Sequence, residues 1–333
     1  MEKTRVAING FGRIGRTLGR LLINDPSIEW VAVNDPHPCD ALIHLFKYDS
    51  VHGVFNGSIE KLDNAVRINE SVVEFFQEAD PISLPWKELN IDIVIEASGK
   101  FKDRESIEKH LEAGAKKVIL AVPPSGDDIK TVVLGINEHI LDGDEKIISN
   151  ASCTTNSAAP LVKLINDLCG IESCYITTVH SYTMDQSVHD TPHKDYRRAR
   201  AASQSIIPTT TGAAKALTKI FPSLENAIGG CGIRVPVPDG SLTDITFIVK
   251  STITIEEINK VFKEASENEL KGILEYTEDP IVSVDVINNP HSCVFDSQLT
   301  SVIGRMVKVV GWYDNESGYS HRLLDLIHKI AQN

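Results

Sequence analysis

Residues 6–35 read VAINGFGRIGRTLGRLLINDPSIEWVAVND, and their order decides the fold. Val6-Ala7-Ile8 is a short apolar run of strand character, Gly10-Phe11-Gly12-Arg13-Ile14-Gly15 follows as a GxGxxG turn, and Ile14, Leu18, Leu21 and Leu22 recur at helical spacing. Trp30-Val31-Ala32-Val33 then reads as a second strand running to Asp35, about 20 residues beyond Gly15. Strand, glycine turn, helix, strand and acid together define a dinucleotide-binding unit. Its glycines allow a tight turn and close backbone approach, while the helix N-terminus offers N–H groups and partial positive charge to a pyrophosphate. Asp35 is placed to accept hydrogen bonds from ribose hydroxyls. A 2′-phosphate there would meet its charge, and no Lys or Arg follows in Pro36-His37-Pro38-Cys39, so NAD is favoured over NADP.

Working outward, the first 150 residues continue to alternate strand and helix patterns, with strands predicted at Ile91 to Glu96, Lys117 to Val122, Thr131 to Ile136 and Lys146 to Ser149. That alternation predicts an α/β fold with a Rossmann-type, mainly parallel sheet. Beyond about residue 151 the strands lengthen and alternate in polarity, as at Cys174 to Val179, Ile245 to Lys250 and Val307 to Trp312. A second domain of α+β type with a mixed or antiparallel sheet is expected there. Thr254 and Glu257 form a capping box ahead of Ile258, Val261, Phe262 and Ala265. A further helix opens at Thr211-Gly212, and His321 to Ile330 forms a closing amphipathic helix.

A chain of 333 residues accommodates two such domains. Lys plus Arg number 33 against 46 Asp plus Glu, and the net charge of -13 argues against nucleic-acid or anionic-membrane binding. An anionic small substrate then requires a local basic pocket. No apolar run is long enough for a membrane span, and the N-terminal residues lead into a strand without a leader pattern, so a cytoplasmic setting is expected. The six cysteines lack CxxC or metal-type spacing, which predicts reduced thiols and no metal site.

Ser149-Asn150-Ala151-Ser152-Cys153-Thr154-Thr155-Asn156 follows a strand and precedes a helical pattern. Pro160 is tolerated only near a first turn, which places Cys153 at or just before the helix N-terminus. Such a site favours a thiolate, more so with an imidazolium nearby. The other five cysteines read as small buried hydrophobes. His180 ends a strand where it can face an adjacent loop, although a lone histidine is more often structural. His193 to Arg200 concentrates positive charge and fits a solvated loop, a subunit contact or a phosphate site equally well. Thr209-Thr210-Thr211-Gly212 supplies hydroxyls and N–H groups at a helix start, and Arg234 lies in a strand-like run.

Taken together, NGFGRIGR (9–16), SNASCTTN (149–156), HSYT (180–183), PTTTGAAK (208–215), IRVP (233–236) and WYDNESGY (312–319) closely resemble the phosphorylating glyceraldehyde-3-phosphate dehydrogenase family over nearly the whole chain. The resemblance implies an NAD domain of residues 1–151 completed by a C-terminal helix at 318–333, a catalytic domain of 152–317, and a homotetramer. It makes Cys153 the nucleophile and His180 the group that lowers the thiol pKa and takes a proton. It also implies that Gly10, Gly12, Arg13, Ile14, Gly15, Asp35 and Asn315 meet NAD, with Asn315 near the nicotinamide amide. Thr183, Arg198 and Arg234 are implied for the substrate phosphate, and Ser152, Thr154, Thr211 and Gly212 for inorganic phosphate. The substrate so implied is D-glyceraldehyde 3-phosphate, oxidised to 1,3-bisphosphoglycerate through a thioester.

Ala79 and Ala121 depart from the family's usual cofactor contacts, and Ser157 replaces a second cysteine that the chemistry does not need. Thr191-Pro192 keeps the proline common in NAD-using members. Two alternatives remain, an erythrose-4-phosphate dehydrogenase and a non-catalytic NAD-binding interaction protein. Thr211-Gly212 speaks against the first, and the intact Cys153, His180 and Arg234 speak against the second.

Overall fold

In the computed structural model, which describes residues 3–331, the chain forms two compact units. The first runs to Val132 and adds Glu138–Ala151 and the segment from Ser320; the second comprises Val133–Asn137 and Ser152–Tyr319. Relative to the expected division, Val133–Asn137 groups with the second unit, and the C-terminal segment joins the first from Ser320 rather than from 318. Residues 1, 2, 332 and 333 of the expected first domain lie outside the described residues.

The first unit is built on a nine-stranded sheet in the order Lys130–Thr131, Ile147–Ser149, Lys117–Leu120, Ile93–Glu96, Thr4–Asn9, Ile28–Asn34, Ser71–Phe76, Ala65–Ile68, Ile59–Lys61. Every pairing from Lys130–Thr131 to Ser71–Phe76 is parallel, and the last two are antiparallel. Val6, Ala7, Ile8, Val94 and Ile95 are all fully buried, as strands covered on both faces require. The predicted strand at Thr131 to Ile136 ends at Thr131. Gly135 takes a φ of 78°, and the Asn137 side chain accepts from the Val133 N–H at 2.7 Å, turning the backbone away from the sheet.

Thr4–Asn9 lies at the centre of the sheet and delivers the glycine turn to the N-terminus of helix Arg13–Leu22. Gly10 has φ 95°, and a Cβ there would stand 2.4 Å from the Ser98 backbone; one on Gly15 would stand 2.2 Å from the Gly10 carbonyl oxygen. The supporting layer is polar, with Trp86, His110 and Glu96 fully buried. Trp86 Nε1–H donates to His110 Nδ1 at 3.0 Å, which leaves the histidine proton on Nε2, 3.0 Å from Glu96 Oε2. Glu96 Oε1 in turn accepts from the Ser98 N–H at 2.9 Å, fixing the backbone that Gly10 rests on. Gly10→Ala is expected to cost about 2–4 kcal/mol, combining left-handed backbone strain with a clash against fixed main chain. Urea unfolding would measure it, and a loss under about 0.5 kcal/mol would show that the turn can move.

The second unit carries an eight-stranded mixed sheet in the order Ile207–Thr209, Ile228–Val235, Ile171–Ser181, Ser241–Val249, Met306–Tyr313, Cys293–Asp296, Leu274–Thr277, with Ser301–Ile303 also paired to Met306–Tyr313. Ser241–Val249 alternates buried and half-buried residues along its full length, the period expected of a sheet with one covered face. Helix Cys153–Cys169 supplies Leu161, Val162 and Ile165 to the core. Pro160 lies inside this helix rather than in its first turn. It removes the helical N–H that the Asn156 carbonyl would take, a cost that burial of the surrounding apolar face offsets. The Thr254 capping box forms as predicted ahead of helix Ile255–Glu267, and the closing helix spans Ser317–Ala331. No helix among the described residues is long and apolar enough to cross a membrane.

Candidate active site

In the first unit, Asp35 follows Ile28–Asn34 and turns its carboxylate to the glycine turn, where Oδ2 accepts from the Phe11 N–H at 2.8 Å. Oδ1 accepts from the His37 N–H at 3.0 Å. Strand end and turn are thereby tied together. Gly12 is the N-cap of helix Arg13–Leu22 and brings no side chain to cover the helix end. Ile14 is half-buried in the first turn. The Arg13 guanidinium is held bidentately by Asp49, at 2.6 and 3.1 Å. Burial opposes ionisation of Asp49, but hydrogen bonds from Arg13 and two backbone N–H groups hold its carboxyl at about 2. A cradle too tight for any Cβ, an uncovered helix N-terminus and a buried carboxylate beside the turn fit a dinucleotide.

In the second unit, Cys153 is the first residue of its helix. Ser152 is the N-cap, its Oγ accepting from the Thr155 N–H at 3.1 Å. The Cys153 Sγ lies 3.5 Å from His180 Nε2. His180 stands one residue before the end of Ile171–Ser181, which pairs in parallel with Ile228–Val235 so that His180 is level with Arg234. Arg234 Nη1 consequently sits 2.7 Å from His180 Nδ1 and 3.1 Å from the Ser181 carbonyl. That carbonyl is also 2.7 Å from Nδ1, which thus faces one donor and one acceptor; in the tautomer whose Nδ1–H donates to the carbonyl, the Nε2 lone pair faces the thiol.

Burial pushes the Cys153 thiol up, opposed by Arg234 and by hydrogen bonds from Thr154. Burial and the neighbouring Arg234 push His180 down to about 3, against the Ser181 hydrogen bond. The sequence predicts an imidazolium beside the thiol. Burial instead penalises the charged form of each group and so favours the neutral pair. The arrangement is a thiol facing an unprotonated base.

The phosphate candidates fall into distinct settings. Arg198 donates from Nε to Thr209 Oγ1 at 2.9 Å and pairs with Asp185 at 2.5 Å, and its charge adds to that of Arg234 in lowering His180. Gly212 is the N-cap of helix Ala213–Ile220, and Thr211 Oγ1 accepts from the Ala213 N–H at 3.2 Å. Thr183 is half-buried, two residues beyond the end of the His180 strand. Thr154 is turned inward, its hydroxyl 2.9 Å from the Tyr313 hydroxyl. Tyr313 also reaches Thr178 at 2.9 Å and meets the His180 ring edge to face.

Neither spacing nor residue type singles out Tyr313, Ser181, Ser241 or Asp185 in the sequence. Tyr313 and Ser181 stand inside the quoted motifs, and that is the one signal that points to them. Asn315 is buried, and its Oδ1 accepts from Ser181 Oγ at 2.8 Å and from Ser241 Oγ at 2.6 Å.

A nucleotide-binding Rossmann sheet joined to a unit that carries a cysteine–histidine pair defines an NAD-dependent dehydrogenase. Residues 4–104 match the family model for the glyceraldehyde 3-phosphate dehydrogenase NAD binding domain, and residues 152–315 match that for the C-terminal domain. The chain is 53% identical over 331 residues to glyceraldehyde-3-phosphate dehydrogenase of Thermotoga maritima, covering 98% of this chain and 99% of that one. It is 50% identical to the Geobacillus stearothermophilus enzyme of that name, covering 98% of each chain. Identity to glyceraldehyde-3-phosphate dehydrogenase 2 of Bacillus subtilis is 49%, over 99% of this chain and 97% of the relative. The chain belongs to the glyceraldehyde 3-phosphate dehydrogenase family.

Proposed function

We propose that the protein oxidises D-glyceraldehyde 3-phosphate with NAD and inorganic phosphate to 1,3-bisphosphoglycerate. The observation that carries this reading is the Cys153 thiol at a helix N-terminus, 3.5 Å from an unprotonated His180 that stands level with Arg234. His180 Nε2 takes the thiol proton as Cys153 Sγ attacks the aldehyde carbon. The helix N-terminus and Arg234 stabilise the sulfur while it carries charge. The His180 imidazolium returns that proton to the new oxyanion, and in the resulting hemithioacetal its neutral Nε2 is placed to take the hydroxyl proton back as the carbon gives up a hydride, so that a Cys153 thioester remains. NAD, when bound, supplies the hydride acceptor, with Gly10, Gly12, Arg13, Ile14, Gly15 and Asp35 holding its adenosine and pyrophosphate and Asn315 its carboxamide. An oxygen of inorganic phosphate then attacks the thioester carbonyl, forming the acyl phosphate and releasing the thiolate.

Thr183, Arg198 and Arg234 are assigned to the substrate phosphate, and Ser152, Thr154, Thr211 and Gly212 to inorganic phosphate. For Thr154 the backbone N–H is the group assigned, because its hydroxyl is occupied by Tyr313. Arg198 exchanges Asp185 for phosphate oxygens, trading one charge-assisted pair for another. A cytoplasmic homotetramer completes the reading. Six free cysteines support a reducing compartment. Met184, Tyr196 and Ile206, 77%, 87% and 71% exposed, support burial of the 182–206 loop against further copies.

A steady-state assay crossing NAD and NADP with D-glyceraldehyde 3-phosphate and D-erythrose 4-phosphate, with and without inorganic phosphate, tests the proposal. Phosphate-dependent NADH formation from the triose phosphate is expected, with kcat/KM about 10²-fold above that with NADP. A higher kcat/KM for the tetrose phosphate, or turnover that ignores phosphate, would overturn it.

A further inference from the structure

Three strand ends converge beside His180. Ser181 closes Ile171–Ser181, Ser241 opens Ser241–Val249, and Asn315 lies two residues past Met306–Tyr313, whose Tyr313 is the register partner of Ser241. Ser181 and Ser241 are 0% and 1% exposed. Ser241 Oγ accepts the Ser181 N–H at 3.1 Å, so its own proton is free to go to Asn315 Oδ1 at 2.6 Å. The Ser181 hydroxyl donates to the same oxygen at 2.8 Å. With the amide reversed, both hydroxyls would lose Asn315 as acceptor in a buried site, keeping only the 3.5 Å contact from Ser241 Oγ to Ser181 Oγ. One orientation satisfies all three residues, and in it the Asn315 Nδ2 has both protons available for a ligand.

We propose that Ser181 and Ser241 are positioning residues that lock Asn315 with its nitrogen outward, so that it donates to the carbonyl oxygen of a carboxamide and fixes which face of that ring meets the substrate. The inference rests on the assignment of Asn315 to the nicotinamide end of NAD. A locked donor is preorganised, so the ligand does not bear the cost of orienting it. Without the lock the amide rotates, and a nicotinamide turned over about its bond to the ribose becomes accessible.

Calorimetric titration of Ser181→Ala, Ser241→Ala and Asn315→Ala with NAD and with ADP-ribose, which lacks the nicotinamide, separates the possibilities. Each serine variant is expected to bind NAD about tenfold more weakly while ADP-ribose affinity stays unchanged. Turnover with aldehyde deuterated at C1 is expected to label one face of NADH C4 in the parent protein and both faces in the serine variants. Ser181→Thr, which keeps the hydroxyl, is expected to restore both the affinity and the single label. Equal weakening of ADP-ribose would mean a merely structural role and overturn the proposal. Weak NAD binding by Asn315→Ala with normal binding and labelling in the serine variants would overturn the lock alone. Normal NAD binding by Asn315→Ala would overturn the lock together with the assignment beneath it.

Discussion

Cys153→Ser is expected to lower turnover by about 10⁴-fold or more, with no burst of NADH in the first turnover. A serine hydroxyl at this position ionises far above the range in which a thiol does, and His180 as a neutral imidazole is too weak a base to make up the difference. The substitution keeps the shape of the side chain and leaves the Ser152 cap in place, so helix Cys153–Cys169 and substrate binding should survive. Stopped-flow absorbance at the NADH band distinguishes loss of the acylation step from slow product release. A burst of normal amplitude would mean that another group attacks the aldehyde.

His180→Asn is expected to slow acylation by about 10²–10⁴-fold and to move the pH profile of Cys153 alkylation upward. The sign follows from the two shifts. The pKa of His180 is pushed down to about 3, so at any pH above that the imidazole is unprotonated and free to accept. That of the Cys153 thiol is pushed up by burial, so near neutrality the sulfur is protonated and becomes nucleophilic by passing its proton to Nε2. Asparagine offers no base. The thiol must then ionise to water at its own raised value, so alkylation at neutral pH slows and its rise comes at higher pH. Arg234 remains and continues to favour the thiolate, which keeps the loss smaller than in Cys153→Ser. Iodoacetamide labelling across pH measures this, and an unchanged profile would exclude His180 from the proton transfer.

The first strand, the helix after it and the second strand were legible because each of their determinants is local. The glycine turn, the spacing of Leu18 and Leu22 and the acid at Asp35 all lie within 30 residues. Cys153 at a helix start was legible for the same reason, even though Pro160 sits deeper in the helix than expected. The run Val132-Val133-Leu134 misled as a strand because all three side chains are buried while the chain leaves the sheet after the Val132 N–H bond to Ser149, and apolar sequence reports burial before it reports pairing. The antiparallel edge at Ile59–Lys61 and Ala65–Ile68 was missed since three- and four-residue strands carry too few alternations to read. Ser241 was invisible, because a serine opening a strand resembles any other. Its role depends on Ser181 and Asn315, 60 and 74 residues away in sequence.

The parallel ladder from Cys174↔Ile228 to Ser181↔Val235 has an evolutionary consequence. His180 and Arg234 are 54 residues apart in the chain yet are spaced by backbone hydrogen bonds, independently of the intervening sequence. Loop residues between 182 and 206 other than Arg198, whose charge helps to lower His180, can therefore drift or lengthen while the base and the guanidinium keep their separation. Natural variation in which aldehyde is accepted has a place to accumulate that leaves the proton-transfer chemistry untouched, and libraries aimed at new substrates would be best confined to that segment.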